Sequence, residues 1–402
     1  MTTNAVNVDF HAQEIIDDPF PSYEDVRAAG RVVRNDVLGV WMVPRYTDVL
    51  SVLHDPTRYS STLYGSEDVA PWFEGVQTMI STDPPEQLRL RKVAQQAFTR
   101  ASLAKLEETV SQVVSQLLDD PGWRDRWSGD EAVDVMPAFC RPLPTMVISK
   151  LLGVPVADLS MFIDWSDDMI AAVGTGSDHL PNWAQTWAQA RQSGLEMGDY
   201  LQEQIDRHRH SVHDDLINDL LVANEHGILD DRELRAACIL LLLAGNDTTA
   251  KLIGTGLLLF ARYPDQRRLL LDRPELIPGA IEEVLRFHGV PQAIPRLVTD
   301  DSTLIHVEVK AGEIVYALAA AANRDPEAFV DPARFDVTRS PNPHVGFGHG
   351  VHHCLGTKLA RMEATIAFRA FLMRAPRYQV CEARYWPVFQ VRGLQDLRVS
   401  GR

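Results

Sequence analysis

The sequence predicts a mainly helical α+β protein, and three observations support that fold class. Apolar residues recur at helical spacing over most of the 402 residues. One segment, which starts at Asp230 or Asp231 and runs to about Tyr263, is apolar almost all round in its middle. That pattern is typical of a helix buried in a large core. Segments with strand character are few and short.

The remaining elements are predicted in chain order. Pro21 to Ala29 form a short helix, and strand segments follow at 32–33 and 40–43. Asp83 and the two prolines after it begin a helix that continues to Phe98. Further helices are expected at 103–118, 138–152, 158–172 and 183–208, and strands at 304–309, 314–317, 378–380 and near the C-terminus. No repeat or linker interrupts the pattern, so we expect one domain over residues 1–402.

Composition and charge exclude several classes of function. The net charge of −16 argues against a general nucleic-acid-binding protein. The four cysteines form no close pairs, which indicates a reducing compartment without disulfides. The first ten residues are polar, and the longest apolar run, Ala236 to Ala244, is about half of what a bilayer requires. We therefore expect a soluble, cytoplasmic protein with no membrane segment.

The strongest functional signal is the segment from Phe347 to Gly356, which reads FGHGVHHCLG. It places Cys354 in a glycine-rich loop just before a predicted helix, 357–371, whose free N–H groups and dipole favour a thiolate. Gly350 permits backbone angles that strain other residues, and Gly356 leaves room for a flat ligand. A thiolate beneath a planar face, with an aromatic ring nearby, indicates an axial ligand to haem iron.

Three other interpretations of Cys354 explain the sequence less well. An inert buried cysteine would explain neither the glycines nor the histidines around it. A zinc site built from His349, His352, His353 and Cys354 would place four ligands too close together for a tetrahedral cage. A nucleophilic cysteine would need a base and an acyl pocket, for which the sequence gives no sign. Haem ligation is therefore the interpretation of Cys354 that explains the sequence best.

The spacing F-x-x-G-x-x-x-C-x-G resembles the haem-binding signature of the cytochrome P450 monooxygenases. The resemblance extends from Asp18 to the C-terminal strands. It implies a single triangular-prism-like domain in which the long central helix crosses haem b (iron protoporphyrin IX). It makes Cys354 the iron ligand and assigns Phe347, Gly348 and Gly356 to the haem loop.

A second motif lies in the middle of the long helix, from Ala244 to Thr249. A glycine, an acid and two hydroxyls break the local preference of an apolar helix. Thr248 can donate a hydrogen bond to the carbonyl of Ala244 and bend the helix. The motif is similar to the family's A/G-G-x-D/E-T-T element. The resemblance implies that Ala244 lies at the haem, that Thr248 hydrogen-bonds dioxygen and that Asp247 relays protons.

The resemblance also assigns residues that support and anchor the haem. Glu283 and Arg286 form the family's E-x-x-R pair, which Arg334 of a downstream D-P-x-R-F element is expected to complete beneath the haem loop. The haem propionates are expected to bind His352, Arg296 and Arg91, because guanidinium groups clamp carboxylates. Gln87 stands where the family commonly has histidine, and it could still donate a hydrogen bond without carrying a charge.

Electrons must come from outside the chain, because it has neither a dinucleotide fingerprint nor cluster-type cysteine spacing. The resemblance implies NAD(P)H and separate redox proteins. An acidic ferredoxin-type partner would suit a basic face formed by Arg100, Lys105, Lys358 and Arg361.

The substrate is expected to be a medium-sized hydrophobic molecule that receives one oxygen atom from O2 in a C–H or C=C bond. By the resemblance, the pocket is lined by Leu241, Ala244, Gln292, Ile294, Val388, Phe389, Trp72 and Phe73. Two alternatives remain open at this point. One is a peroxide-driven hydroxylase on the same scaffold, and the other is a non-catalytic haem sensor or accessory subunit.

Overall fold

A long central helix organises the fold, as the sequence predicts. The computed structural model describes residues 4–65, 70–121, 131–173, 182–211 and 213–401. The described helices are α1 Gln13–Asp17, α2 Phe20–Ala29, α3 Tyr46–His54, α4 Glu86–Ala94, α5 Arg100–Leu118, α6 Pro142–Leu152, α7 Leu159–Ala172, α8 Trp183–His208, α9 Leu216–Glu225, α10 Asp231–Arg262, α11 Pro264–Asp272, α12 Ile277–Phe287, α13 Ala319–Ala322 and α14 Thr357–Arg374.

Helix α10 begins with a capping box. Asp230 accepts a hydrogen bond from the backbone of Glu233, and the Glu233 side chain accepts one from the backbone of Asp230. Among the described residues, α10 is the one helix long and apolar enough to cross a membrane, but 78% of its most apolar window is buried inside the protein. It packs against α6, α8 and α14, so its hydrophobicity serves the core.

The strands form one six-stranded sheet, one three-stranded sheet and one hairpin. The strands are β1 Ala5–Val6, β2 Val33–Asn35, β3 Val40–Val43, β4 Tyr59–Ser60, β5 Val133–Asp134, β6 Ile294–Val298, β7 Ser302–Leu304, β8 Val307–Val309, β9 Ile314–Ala317, β10 Gln379–Tyr385 and β11 Leu394–Ser400. The larger sheet has the order β1-β2-β3-β9-β6-β4, and the smaller one has the order β10-β11-β5. In the larger sheet β3 pairs in parallel with β9, which joins the N-terminal part of the chain to a segment about 270 residues later.

Three predicted elements differ from the structure. The single strand expected at 304–309 is divided by the turn of the β7–β8 hairpin. Leu304 ends β7, Ile305 adopts a φ of 61° in the turn, and Val307–Val309 form β8. The helix expected to reach Phe98 ends at Ala94 and continues as a 3₁₀ turn, Gln95–Phe98. The helix expected from 138 is preceded by a π-helical turn, Met136–Cys140, because the prolines at the start of α6 interrupt regular hydrogen bonding.

Candidate haem and oxygen site

The loop before α14 presents Cys354 to an internal cavity. The amide of Cys354 donates to the carbonyl of Phe347 (2.9 Å), which closes the loop on itself. Gly348 and Gly350 have φ values of 71° and 70°, and a Cβ at Gly350 would overlap the carbonyl of Leu53. Only glycine therefore fits this approach of the loop to α3. The nearest heavy atom to a Cβ at Gly356 would be Cys354 Sγ, at 3.9 Å, so space is left beside the thiol.

The electrostatics of Cys354 partly oppose the sequence-based expectation of a thiolate. Withdrawal from bulk water raises the pKa of the thiol above its ordinary value. The backbone of Gly356, the Thr357 side chain, Arg91 and Arg361 lower that pKa, but they do not outweigh burial. The start of α14 therefore favours the anion without fixing it, and ligation by a cation would supply the remaining stabilisation.

Helix α10 brings the second motif to the same cavity. The Thr248 hydroxyl donates to the carbonyl of Ala244 (2.7 Å), as expected from the sequence. Both residues line the cavity, together with Gly245. A Cβ at Gly245 would lie 3.0 Å from the side chain of Ile148, so this glycine also permits the close packing of α6 against α10.

Asp247 lies on a different face of α10 from Thr248. Its carboxylate pairs with Lys251 Nζ (2.8 Å), one turn later, and both side chains are buried. The pair borders a small cavity that Arg141, Asp167 and Trp386 also line. Arg141 and Asp167 form a partly exposed ion pair (2.9 Å), and burial raises the pKa of Asp167 to about 6. The sequence analysis missed Lys251, although its i, i+4 spacing from Asp247 was visible.

Cationic groups gather around His352. The His352 ring lies 3.0 Å from the Ser61 hydroxyl, and burial together with Arg296 and Arg91 lowers its pKa to about 4. Arg296 is almost completely buried and donates to the carbonyl of Pro295. No described carboxylate lies within ion-pair distance of it. Arg91 donates to the carbonyl of His353 (2.6 Å) and lines the cavity.

Gln87 is fully buried and holds the loop rather than facing the cavity. Its Nε2 donates to the carbonyl of Val351 (2.9 Å), whereas its Oε1 has no hydrogen-bond partner among the described atoms. Gln87 is not among the residues that line the cavity. This position differs from the direct propionate contact that the sequence suggested.

The buried glutamate cluster corrects one assignment. Glu283 pairs with Arg286 through Nε and Nη2 (both 2.7 Å), and both side chains are fully buried. The second arginine on Glu283 is Arg339 (3.1 Å), not Arg334. The Arg334 side chain is 66% exposed and faces Asp336 (3.9 Å), while its carbonyl accepts hydrogen bonds from Arg286 and Arg339. The D-P-x-R-F segment thus contributes a backbone carbonyl, and the second guanidinium comes from Arg339, five residues after Arg334.

The cavity has a volume of about 350 Å³. Three predicted pocket residues line it: Leu241, Ala244 and Ile294. The other five do not. Gln292 accepts from the Tyr23 hydroxyl (2.9 Å) and donates to the carbonyl of His288 (3.1 Å). Phe389 stacks on Phe10, and Val388, Trp72 and Phe73 are packed in the core. The Gln292 amide therefore makes internal hydrogen bonds, and the four apolar side chains pack in the core instead of lining the cavity.

Several lining residues were missed by the sequence analysis. They are mostly apolar and come from separate elements: Met79, Ile80, Phe98, Ile148, Leu240, Leu252, Leu285, Val290, Pro291, Leu359 and Val391. Thr249 and Glu363 are polar exceptions, and Glu363 of α14 is the ionisable one. It is buried, burial raises its pKa to about 8, and its Oε2 has no described hydrogen-bond partner. No local pattern marks these residues, because helix periodicity predicts burial but not which cavity is lined.

The residues present fit a haem group. The cavity offers a thiol on one element and a small-residue surface, Ala244 and Gly245, on another. Buried Arg296 lacks a described anion, which the carboxylate of a ligand would supply. The predominantly apolar lining suits the faces of a porphyrin.

The predicted basic face is less positive than the sequence suggests. Arg361 pairs with Glu282 (2.6 Å) and lies over the Phe347 ring (4.8 Å). Lys105 pairs with the exposed Asp214 (2.8 Å). Lys358 is exposed in the first turn of α14. The Arg100 side chain lies outside the described part of the chain.

Comparisons with known proteins identify the family of the chain. A family model described as Cytochrome P450 matches residues 35–375. The chain is 38% identical over 340 residues to the mycinamicin IV hydroxylase/epoxidase of Micromonospora griseorubida, covering 84% of this chain and 82% of that enzyme. P450BioI, solved in complex with hexadec-9Z-enoic acid ligated acyl carrier protein, superposes with a TM-score of 0.88 at 32% identity, covering 96% of this chain and 99% of that one.

A second solved structure, CYP109E1 from Bacillus megaterium in complex with testosterone, also gives a TM-score of 0.88 at 32% identity, covering 97% of this chain and 100% of that one. The mainly helical fold expected from the sequence is thereby confirmed. Because the family model spans most of the chain and these relatives match over at least 82% of their lengths, the protein belongs to the cytochrome P450 family of bacterial oxygen-incorporating oxidoreductases.

Proposed function

We propose that the protein inserts one oxygen atom from O2 into a C–H or C=C bond of a medium-sized hydrophobic molecule. The observation that carries the proposal is that Cys354 and Thr248 line one cavity from two separate elements. Haem b would be held by the Cys354 thiolate and, when bound, would supply the activation of O2. The chain's own residues hold the group, exclude water and deliver protons.

The proposed proton route uses two faces of α10. Asp167 and Arg141 are partly exposed and border the same small cavity as Asp247. A carboxyl with a pKa of about 6 exchanges protons readily near neutral pH, so Asp167 suits the entry point. Lys251 orients the Asp247 carboxyl, which passes the proton towards the Thr248 hydroxyl. The Thr248 hydroxyl donates to Ala244 at rest and can rotate to donate into the cavity.

Anchoring of the haem is assigned to His352, Arg296 and Arg91 at the propionates, with Phe347, Gly348, Gly356 and Ala244 at its faces. The buried charge of Arg296 and the position of Arg91 at the cavity support this assignment. Gln87 is proposed to act indirectly, by fixing the carbonyl of Val351 in the Cys354 loop. Glu283 accepts a hydrogen bond from Asn342, shortly before that loop, and its cluster with Arg286 and Arg339 is proposed to support the loop there.

The substrate proposal follows from the lining of the cavity. Away from Cys354, Arg91 and His352, the cavity is lined by the apolar side chains of Met79, Ile80, Leu241, Val290 and Ile294. An apolar surface of this kind gains free energy by taking hydrophobic ligands out of water. The named relatives accord with this class, since they include a mycinamicin IV hydroxylase/epoxidase and a structure with testosterone.

Electrons are proposed to come from NAD(P)H through a ferredoxin-type protein that docks near Lys358. This residue is exposed four positions after Cys354, at the start of α14. A Lys358→Glu change should slow reduction by an acidic ferredoxin and weaken the salt dependence of that step. Lys310, next to β8, gives a matched exposed control. Equal rates for K358E and K310E would count against this docking face.

We further propose that residues 1–402 form one domain in the cytoplasm. A continuous core that includes Phe10 and Val399 supports the single domain. The four free cysteines accord with a reducing compartment.

Three measurements test the proposed reaction. The reduced protein with carbon monoxide should absorb at about 450 nm, and a band at about 420 nm instead would refute thiolate ligation. With redox partners, substrate and isotopically labelled O2, the product should carry one labelled atom. Thr248→Ala should divert NAD(P)H electrons to peroxide, whereas Thr255→Val, at a buried position of α10 away from the cavity, should keep its coupling. Full coupling in T248A would refute the proton route.

A further inference from the structure

Three potential metal ligands meet far from Cys354 in sequence, at the connection between α8 and α9. They are His208 at the end of α8, His213 in the connection and Asp215 just before α9. One ligand atom from each lies within 4.8 Å of the others. The two imidazole rings are 4.3 Å apart between centroids. The proposed oxygenation does not use any of these groups.

Hydrogen bonding fixes the tautomer of His208. Its Nδ1 lies 2.7 Å from the carbonyl oxygen of Gln204, which can only accept, so Nδ1 carries the hydrogen. In a neutral ring, Nε2 then presents a lone pair. Nε2 lies 3.0 Å from Asp215 Oδ2, so two acceptors face each other in a buried setting. A cation between them, whether a proton or a metal ion, removes that repulsion.

Asp215 is held in place for this contact. Its Oδ1 accepts from the backbone of Asn218 and caps α9, which leaves Oδ2 to face His208. Gly153 follows α6 with a φ of 88°, and a Cβ there would overlap Oδ2 of Asp215. The carboxylate is therefore seated in a space that exists because residue 153 has no side chain.

The surroundings favour a positive ion. Asp214 adjoins the cluster, and Asp219 lies one turn into α9. The carboxylates of Asp214, Asp215 and Asp219 follow one another closely along the chain, so together they contribute a negative potential beside the two histidines. Lys105 offsets it through an ion pair with Asp214 in which both side chains are largely exposed (70% and 90%).

We propose that His208, His213 and Asp215 bind one zinc ion, with water completing the coordination. Two imidazoles and a carboxylate are borderline ligands that suit zinc rather than calcium or magnesium. The bond from His208 Nδ1–H to the Gln204 carbonyl is the outer contact that commonly orients a metal-binding histidine. Tetrahedral zinc places ligand atoms about 3.3 Å apart. His208 and Asp215 are already near that separation. The exposed His213 ring, whose Nε2 now lies 2.6 Å from the Ser211 hydroxyl, would turn to close the remaining distance.

Such an ion would join three helix ends. His208 ends α8, Asp215 starts α9, and Gly153 ends α6 beneath the carboxylate. Because an ion bound only by the folded state adds RT ln(1 + [Zn]/Kd) to the free energy of unfolding, zinc should stabilise the protein. We assign the ion a stabilising role, since none of its three described protein ligands lines the haem cavity.

The test is a zinc titration of the haem-loaded protein, in which Cys354 is not available to compete. After treatment with a chelator, the protein should bind one equivalent of zinc, and its thermal midpoint should rise with zinc concentration. His213→Ala should weaken binding at least about tenfold. His210→Ala removes an exposed histidine three residues away that is outside the cluster, and it should change the affinity less than about twofold.

Asp215→Asn supplies a second variant that does not depend on losing a helix cap, because asparagine caps α9 as well as aspartate does. It should also bind zinc at least about tenfold more weakly. X-ray absorption at the zinc edge should show two imidazoles in the wild type and one in H213A. The proposal is overturned if binding is not saturable at one equivalent, or if H213A and H210A bind equally. In that case the contact between His208 and Asp215 is an ordinary protonated ion pair.

Discussion

Replacing Arg339 by methionine should destabilise the protein far more than the same change at Arg334. Arg339 is 11% exposed and donates to both oxygens of the fully buried Glu283 (3.3 and 3.1 Å). It also donates to the carbonyls of Val330, Asp331 and Arg334. Methionine keeps most of the aliphatic bulk and removes every one of these hydrogen bonds.

The loss in free energy of unfolding depends on the groups that Arg339 leaves without a partner. Removing one partner of a buried ion pair costs about 3–5 kcal/mol. Glu283 keeps Arg286, so the lower end of that range applies, about 3 kcal/mol. The three carbonyls belong to exposed residues and can bind water instead, so they add little. For 402 residues, this corresponds to a fall of about 4 °C in the thermal midpoint.

Urea unfolding of the two variants, followed by far-UV circular dichroism and by the haem band, provides the assay. R339M should lower the free energy of unfolding by about 3 kcal/mol and release haem at lower urea. R334M should change it by less than about 1 kcal/mol, because the Arg334 side chain is 66% exposed and 3.9 Å from Asp336. If R334M is as costly as R339M, or if R339M costs less than about 1 kcal/mol, the assignment of Arg339 is refuted.

Three further predictions concern other buried groups. Because the folded-state pKa of Glu363 is about 8 and its ordinary value is 4.5, the folded protein holds an extra proton between these values. The free energy of unfolding should therefore fall by up to about 1.4 kcal/mol per pH unit as pH rises through that window, and Glu363→Gln should remove this slope. If the free energy of unfolding depends on pH in the same way in the variant and the wild type, the assignment to Glu363 is contradicted. Gly256→Ala should cost about 1–3 kcal/mol in urea unfolding, because a Cβ would overlap the Phe368 ring, and Phe368→Leu should recover part of that cost; no recovery would exclude this clash as the cause. Arg296→Leu should accelerate haem transfer to apomyoglobin by about 10- to 100-fold, because the proposed hydrogen bond from this buried guanidinium to a haem propionate would be lost; an unchanged rate would refute that proposed contact.

The parts that the sequence predicts well are those in which local chemistry and structure coincide. The positive φ of Gly350 and the bond from Thr248 to Ala244 follow from residue type and spacing alone. The bounds of α8 and β9 match the predicted ones, because apolar periodicity reports burial directly. Fold class and the two chemical motifs therefore follow from the amino-acid sequence alone.

The errors arise where long-range geometry selects among similar residues. Arg334 and Arg339 are five positions apart in one loop, and only the path of the backbone decides which guanidinium reaches Glu283. Gln292 is two residues before a true lining residue, Ile294, yet its amide is taken by Tyr23 on α2. Residue type cannot distinguish these cases, because the competing partner lies far away in the chain.

The parallel pairing of β3 with β9 has a consequence for synthesis of the protein. Trp41 on β3 pairs with Val315 on β9, so about 270 residues must be translated after β3 before its partner strand exists. At about 5–20 residues per second, the edge of β3 waits for about 14 to 55 seconds. During that interval its free N–H and C=O groups can template pairing with another nascent chain. We expect newly made chains on crowded polysomes to need a chaperone on this edge until β9 emerges.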